Sequence, residues 1–207
     1  MGGSAMGKLV AIFLLTGMLG AVANGSVIVM PGASSAKFQI PKPLHPAAKR
    51  ISQDHGYQMG FYIHEVGTGP NKTVWNVAYS ENTLTSPSSF GLIQMIDSPI
   101  TGVPELDSLS GGRVQGTFAY ADLHQTAVIV NLNIRFTVTE GGIHEGDSLH
   151  LLGRISLSGQ WRDEMLSVVG GTGTFSGARG DAFSSYYSFD NSTLHRVSTL
   201  VMYVLVG

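Results

Sequence analysis

The sequence predicts an all-β fold, an antiparallel barrel or sandwich, from three observations. From Tyr57 onward the chain is a succession of β-rich segments joined by short turn-forming clusters. No capped amphipathic helix of useful length interrupts them. One segment, "TAVIVNLNIRFTV", alternates with the period of two that a strand imposes.

The elements follow in order. Lys8 precedes the apolar run "LVAIFLLTGMLGAVA", which ends in Ala21-Val22-Ala23. A basic start, a short apolar segment and an A-x-A tail form the pattern of a signal peptide over residues 1–23, cut after Ala23. The run is shorter than the roughly 20 residues that a membrane span needs, and no later segment is longer. Residues 24–56 hold four prolines and no clear periodicity, and read as a mobile leader. The domain proper is expected over 57–207.

Within it, "YQMGFYIHEV" is β-rich, the turn-prone "GTGPNK" follows, and then "TVWNVAYS". Further strand candidates are "FGLIQMID", "GRVQGTFAYADL", "TAVIVNLNIRFTV", "DSLHLLGRISLSGQW", "EMLSVVGG", "TFSGARGDAFSSYYSF" and "TLHRVSTLVMYVLV". Clusters such as "TEGGIHEGD" and "FDNST" supply the turns. Some eight or nine strands in about 150 residues favour a barrel or a sandwich. In the alternating segment Val128, Val130, Leu132, Ile134 and Phe136 share one face, while Ala127, Ile129, Asn131, Asn133 and Arg135 share the other. This favours a barrel whose apolar face meets a layer outside, around a partly polar interior, although a sandwich edge strand alternates similarly.

Composition excludes several functions. There are 12 Lys and Arg against 14 Asp and Glu, with no basic run to track a phosphate backbone, so no nucleic-acid partner is expected. The chain has no cysteine, which excludes both a disulfide framework and a thiol nucleophile. Neither a G-x-S-x-G elbow nor an H-E-x-x-H helix is present. His64-Glu65 and His144-Glu145 are adjacent pairs whose members face opposite ways in a strand, so no metal site is expected. Asn71 and Asn191 head glycosylation sequons, meaningful once export is accepted; Asn24 heads a third, too close to the cleavage site.

The stretch "SVVGGTGTFSGARG" packs its glycines as a phosphate loop does. A dinucleotide fingerprint, however, needs G-x-G-x-x-G between a strand and a helix, and here the third glycine is late and a strand follows. The better reading is a hairpin turning at Gly170–Gly173, with Gly177 and Gly180 bending the return strand. The Arg179-Gly180-Asp181 triplet is a coincidence of composition. Among the ionisable residues Asp97, Arg113, Asp122, Arg135, Arg154, Glu164 and Arg179, two stand out. Asp97 and Arg179 adjoin apolar strand sequence, where a charge must find a partner or a cavity.

From about Phe61 onward the chain resembles the plant dirigent proteins. "FYIHEV", "FGLIQMIDSPIT", "GRVQGTFAYA" and "SVVGGTGTFSGARGDA" fall in the family's order and spacing, the last being the most specific. The resemblance implies an eight-stranded antiparallel barrel of the allene-oxide-cyclase type, a homotrimer secreted to the plant cell wall. It implies phenolic ligands, with a laccase or peroxidase making the phenoxy radicals and the barrel steering their coupling to optically active lignans. No cofactor is implied, and most members do not themselves oxidise the substrate. Some relatives instead close or dehydrate a quinone methide, and a third class of role is a defence or cell-wall protein that only binds. On this resemblance Arg179 holds a phenol or phenoxide oxygen and Asp97 exchanges protons with a quinone methide. Tyr120 offers a ring and a hydroxyl, an assignment that rests on strand position.

The departures from the family pattern are specific. Ser98 stands where the family has the second aspartate of its D-D-P motif, and "GRVQG" replaces G-R-A-Q-G. Asp181 stands where an aromatic is common, and the cysteine pair usual in lignan-forming members is absent.

Overall fold

The computed structural model describes residues 49–50, 56–137, 143–157 and 164–207. The expected signal peptide and most of the expected leader lie outside the described residues. Ten strands follow one another: β1 (Lys49–Arg50), β2 (Gly56–Val66), β3 (Val74–Ala78), β4 (Ile93–Thr101), β5 (Ser110–Tyr120), β6 (Ala127–Phe136), β7 (Ser148–Ser156), β8 (Glu164–Thr172), β9 (Arg179–Asp190) and β10 (His195–Leu205). The helical elements among the described residues are two short 3-10 turns, Glu81–Leu84 and Gly173–Phe175. β1 falls within the expected leader, where Lys49 and Arg50 pair with Gln58 and Tyr57 of β2.

The sheet runs β2-β10-β9-β8-β7-β6-β5-β4, every neighbour antiparallel. It closes where β4 returns to β2 through the pairs Tyr62–Thr101 and Ile63–Ile100. The result is a closed eight-stranded antiparallel barrel, with β3 added on the β4 edge beyond this seam. Closure removes the unpaired edges that an open sheet of this length would expose. The turn chemistry read in "FDNST" is present between β9 and β10, whereas Asp122, expected in a strand, falls after the end of β5. The Asp122 carboxylate accepts the backbone N–H groups of His124 and Gln125 at 2.9 Å, and Asp190 caps the β9–β10 turn by accepting from Ser192 N at 2.8 Å.

The alternating face of β6 points the other way from the sequence expectation. Val128, Val130, Leu132, Ile134 and Phe136 are buried in the core cluster, and Ile129, Asn131 and Arg135 are exposed. The physical reason is barrel size: eight strands enclose a space that side chains can fill, so the wholly apolar face belongs inside. No outer layer is needed to cover it.

One end of the barrel is sealed. Phe175, on the 3-10 turn between β8 and β9, is fully buried, with its ring 5.4 Å from those of both Tyr57 and Phe136. The glycine-rich stretch is therefore longer in strand than expected, since β8 continues through Gly170 and Gly171 to Thr172. Gly173 turns the chain at φ +60, and a Cβ there would lie 1.7 Å from Asp147 Oδ1. Asp147 in turn accepts His144 N at 2.8 Å and hydrogen bonds from the side chain and backbone of Thr174, and the Thr174 bonds tie the start of β7 to the plug. Gly177 lies in the turn before β9 and not in the strand. Gly180, at φ +153, runs in regular register with Val204 and is required by close approach: a Cβ would lie 1.9 Å from the Tyr203 carbonyl oxygen.

Candidate functional site at the open end of the barrel

At the other end, polar and aromatic side chains replace the apolar filling. On β2 the inward phase runs Tyr57, Met59, Phe61, Ile63 and then Glu65, which is 6 % exposed. On β10 the inward phase of Val204, Met202 and Leu200 continues through Ser198 to Arg196. Arg196 and Glu65 oppose each other directly in the β2–β10 register. The Arg196 Nε–H donates to Glu65 Oε2 as a charge-assisted pair.

Tyr120, at the end of β5, completes this cluster from the far wall and is 4 % exposed. Burial pushes its phenol up to about 12; the Arg196 charge pulls down and the Glu65 charge pushes up. Tyr186 of β9 pairs across from Ser198, and burial raises its phenol too, against the pull of Arg196. For Arg196 itself burial opposes the charge, but Glu65 outweighs it and keeps the guanidinium charged. Glu164 on β8 shares the inward phase of Leu166 and Val168. On β4, Gln94 is 1 % exposed and donates to Asn76 Oδ1 at 2.7 Å, while its Oε1 is buried without a partner.

Of the residues singled out in the sequence, this site contains Tyr120 and Glu164. Asp97 lies on the outer face of β4, its side chain about half exposed, and its Oδ1 accepts from Arg113 Nε at 2.5 Å and Gln115 Nε2 at 3.2 Å. The alternation of β4 decides this, since Leu92, Gln94, Ile96, Ser98 and Ile100 take the inward positions. The position that faces in is Ser98, fully buried and donating to Thr73 Oγ1 at 3.0 Å. Arg179 opens β9 at the sealed end, exposed and paired in register with exposed Leu205. Gly180 thus does not aim Arg179 into the barrel, because inward and outward positions still alternate through Gly180 and Ala182. Asn71 and Asn191 are exposed on turns at the open end, and these turns are joined by Gly67 N donating to Leu194 O at 2.9 Å.

Sequence reasoning missed Glu65 and Arg196. Their signal was phase: each charge continues an apolar alternation, Phe61-x-Ile63-x-Glu65 and Arg196-x-Ser198-x-Leu200. His64, next to Glu65, faces outward and is fully buried there, between His195 and Thr101.

A closed barrel plugged at one end, with buried Tyr120, exposed Tyr186 and an ion pair at the other, defines a class: an all-β barrel with one polar, aromatic end. The chain belongs to the dirigent family, since the family model described as "Dirigent-like protein" matches residues 57–205. It is 35 % identical to Dirigent protein 11 of Arabidopsis thaliana over 161 residues, 78 % of this chain and 76 % of the relative. It is 29 % identical to Pterocarpan synthase 1 of Glycine max over 147 residues, 71 % of this chain and 77 % of the relative. The solved structure of a pterocarpan synthase dirigent protein superposes with a TM-score of 0.64 at 27 % identity, covering 75 % of this chain and 98 % of that one.

Proposed function

We propose that this chain binds phenols at the open end of the barrel and imposes stereochemistry on the coupling of their phenoxy radicals, coniferyl-alcohol-type monolignols giving optically active lignans. The observation that carries this reading is the cluster of Tyr120, Tyr186 and the Glu65–Arg196 pair beside an apolar wall. Rings stack or pack edge-on against such tyrosines, and the ion pair and Gln94 Oε1 offer partners to a phenolic hydroxyl. The radicals come from a separate laccase or peroxidase, because the proposed role is positioning and not oxidation. A bias of about 1.4 kcal/mol between the two faces gives a tenfold preference, within reach of one or two hydrogen bonds. In this reading the protein is secreted to the apoplast and carries glycans at Asn71 and Asn191. It assembles as a homotrimer through outer apolar side chains such as Trp75, Met95 and Ile129.

A second reading has one specific support, the likeness to proteins named pterocarpan synthases. In it the chain is a cyclase or dehydratase that acts on a quinone-methide precursor, with Tyr120 or Glu65 exchanging the proton. The test is to incubate the mature protein with coniferyl alcohol and laccase and to resolve the products by chiral chromatography. An enantiomeric excess that grows with protein concentration supports the first reading, and a racemate at saturating protein overturns it. Turnover of a quinone-methide precursor without oxidase supports the second.

A further inference from the structure

We infer that Glu65 sets the charge selectivity of this site: by occupying Arg196 it makes the open end accept uncharged phenols and turn away phenols that carry a carboxylate. The inference rests on the phenol-binding reading above and adds to it the chemical class of the guest.

The argument begins with phase. Among the described strand residues, Arg196 is the one Lys, Arg or His in an inward position of the eight barrel strands; His64, His150, Arg113, Arg135, Arg154 and His195 all fall on outward positions. A guest carboxylate that enters the barrel therefore has a single cation to meet, and Glu65 already holds it. Displacing Glu65 would leave a side chain 7 % exposed as a buried anion without its counter-ion. Glu164 adds a second negative group of inward phase on β8. A neutral phenol meets neither obstacle, since it can leave the ion pair intact and donate its hydroxyl to an acceptor such as Gln94 Oε1.

The converse is as specific. Replacing Glu65 with glutamine removes the charge and retains an acceptor for the Arg196 Nε–H. The rest of the guanidinium fork then matches a carboxylate in geometry and charge. Glu65→Gln should thus turn an excluding site into a carboxylate-binding one.

The experiment measures binding of two compounds with the same ring, coniferyl alcohol and ferulate, by titration calorimetry at pH 7. Wild type is expected to favour the alcohol by about tenfold or more. Methyl ferulate, neutral again, is expected to bind like the alcohol, an arm that needs no variant. In Glu65→Gln the alcohol-to-acid ratio falls to about one or inverts, and the double variant Glu65→Gln/Arg196→Gln loses that gain in acid binding. Equal affinity of wild type for alcohol and ferulate, or an unchanged ratio in folded Glu65→Gln, overturns the selectivity while leaving phenol binding in place. Failure of wild type to bind either neutral compound overturns the phenol-binding reading itself.

Discussion

Asp97 and Arg113 lie two strand positions out of register on β4 and β5, and the arginine clasps the aspartate twice. Its Nε donates to Asp97 Oδ1 and its Nη2 to the Asp97 backbone oxygen, each at 2.5 Å. Both side chains are about half exposed on the outside of the barrel, and Gln115 joins them. The motifs "MIDSP" and "GRVQG" therefore meet each other, not a guest in the lumen. Asp97→Asn is expected to cost under about 1 kcal/mol, as exposed ion pairs do, and to leave the enantiomeric excess of a coupling assay unchanged. A loss of stereoselectivity at unchanged stability would place Asp97 in the chemistry after all.

The plug at the sealed end gives the next expectation. Phe175 is fully buried between Tyr57 and Phe136, so Phe175→Ala removes a whole ring from a packed site. It should lower the stability by about 3–5 kcal/mol, read as a shift of the denaturant midpoint without a change of slope. Gly173→Ala should be at least as damaging for its size. Its Cβ meets the Asp147 carboxylate, and its φ of +60 is strained for alanine. A wild-type midpoint in both variants would mean that the plug does not contribute to stability.

The partly buried Glu65–Arg196 pair predicts a marked non-additivity. Arg196→Met leaves Glu65 buried without its cation, for which about 3–5 kcal/mol is the usual cost of breaking such a pair. Glu65→Leu/Arg196→Met together replace the pair with apolar side chains and should recover most of that loss. Additive effects in the four-member cycle would show that the two charges are not coupled.

How far the sequence foretold this arrangement depended on which property was needed. Alternation over residues 127–136 identified the strand and its two faces, because a period of two is a local property. Which face pointed inward was misread, since that depends on the strand count and the closure between β2 and β4, neither of which alternation encodes. Tyr120, assigned on strand position alone, sits buried at the end of β5. Asp97 and Arg179 were chosen for apolar neighbours along the chain, but neighbours along a strand lie on the opposite face. The inward phase of Glu65 and Arg196 is legible within each strand, but that the two meet is legible only when strands 131 positions apart are laid side by side.

The histidine pair outside the barrel predicts a pH dependence with a definite sign. Thr101 Oγ1 donates to Val103 O at 2.6 Å, so it must accept from His64 Nε2–H, 2.7 Å away. That leaves His64 Nδ1 as an unprotonated acceptor, filled by His195 Nε2–H at 3.1 Å. Burial, reinforced by the His195 charge, pushes His64 down to about 4 from its ordinary 6.5. Between those values the unfolded chain binds a proton that the folded chain refuses, so stability rises with pH across this window. The contribution is complete above about pH 6.5, is lost as pH falls towards 4, and amounts to about 3 kcal/mol. Asp122 and Asp147, whose carboxyls are held below their ordinary range, release their own contributions only at lower pH. Urea midpoints at pH 7.0 and 4.5 should therefore fall steeply in wild type and much less in His64→Gln, whose amide can still donate to Thr101. Equal slopes in the two proteins would remove His64 as the source.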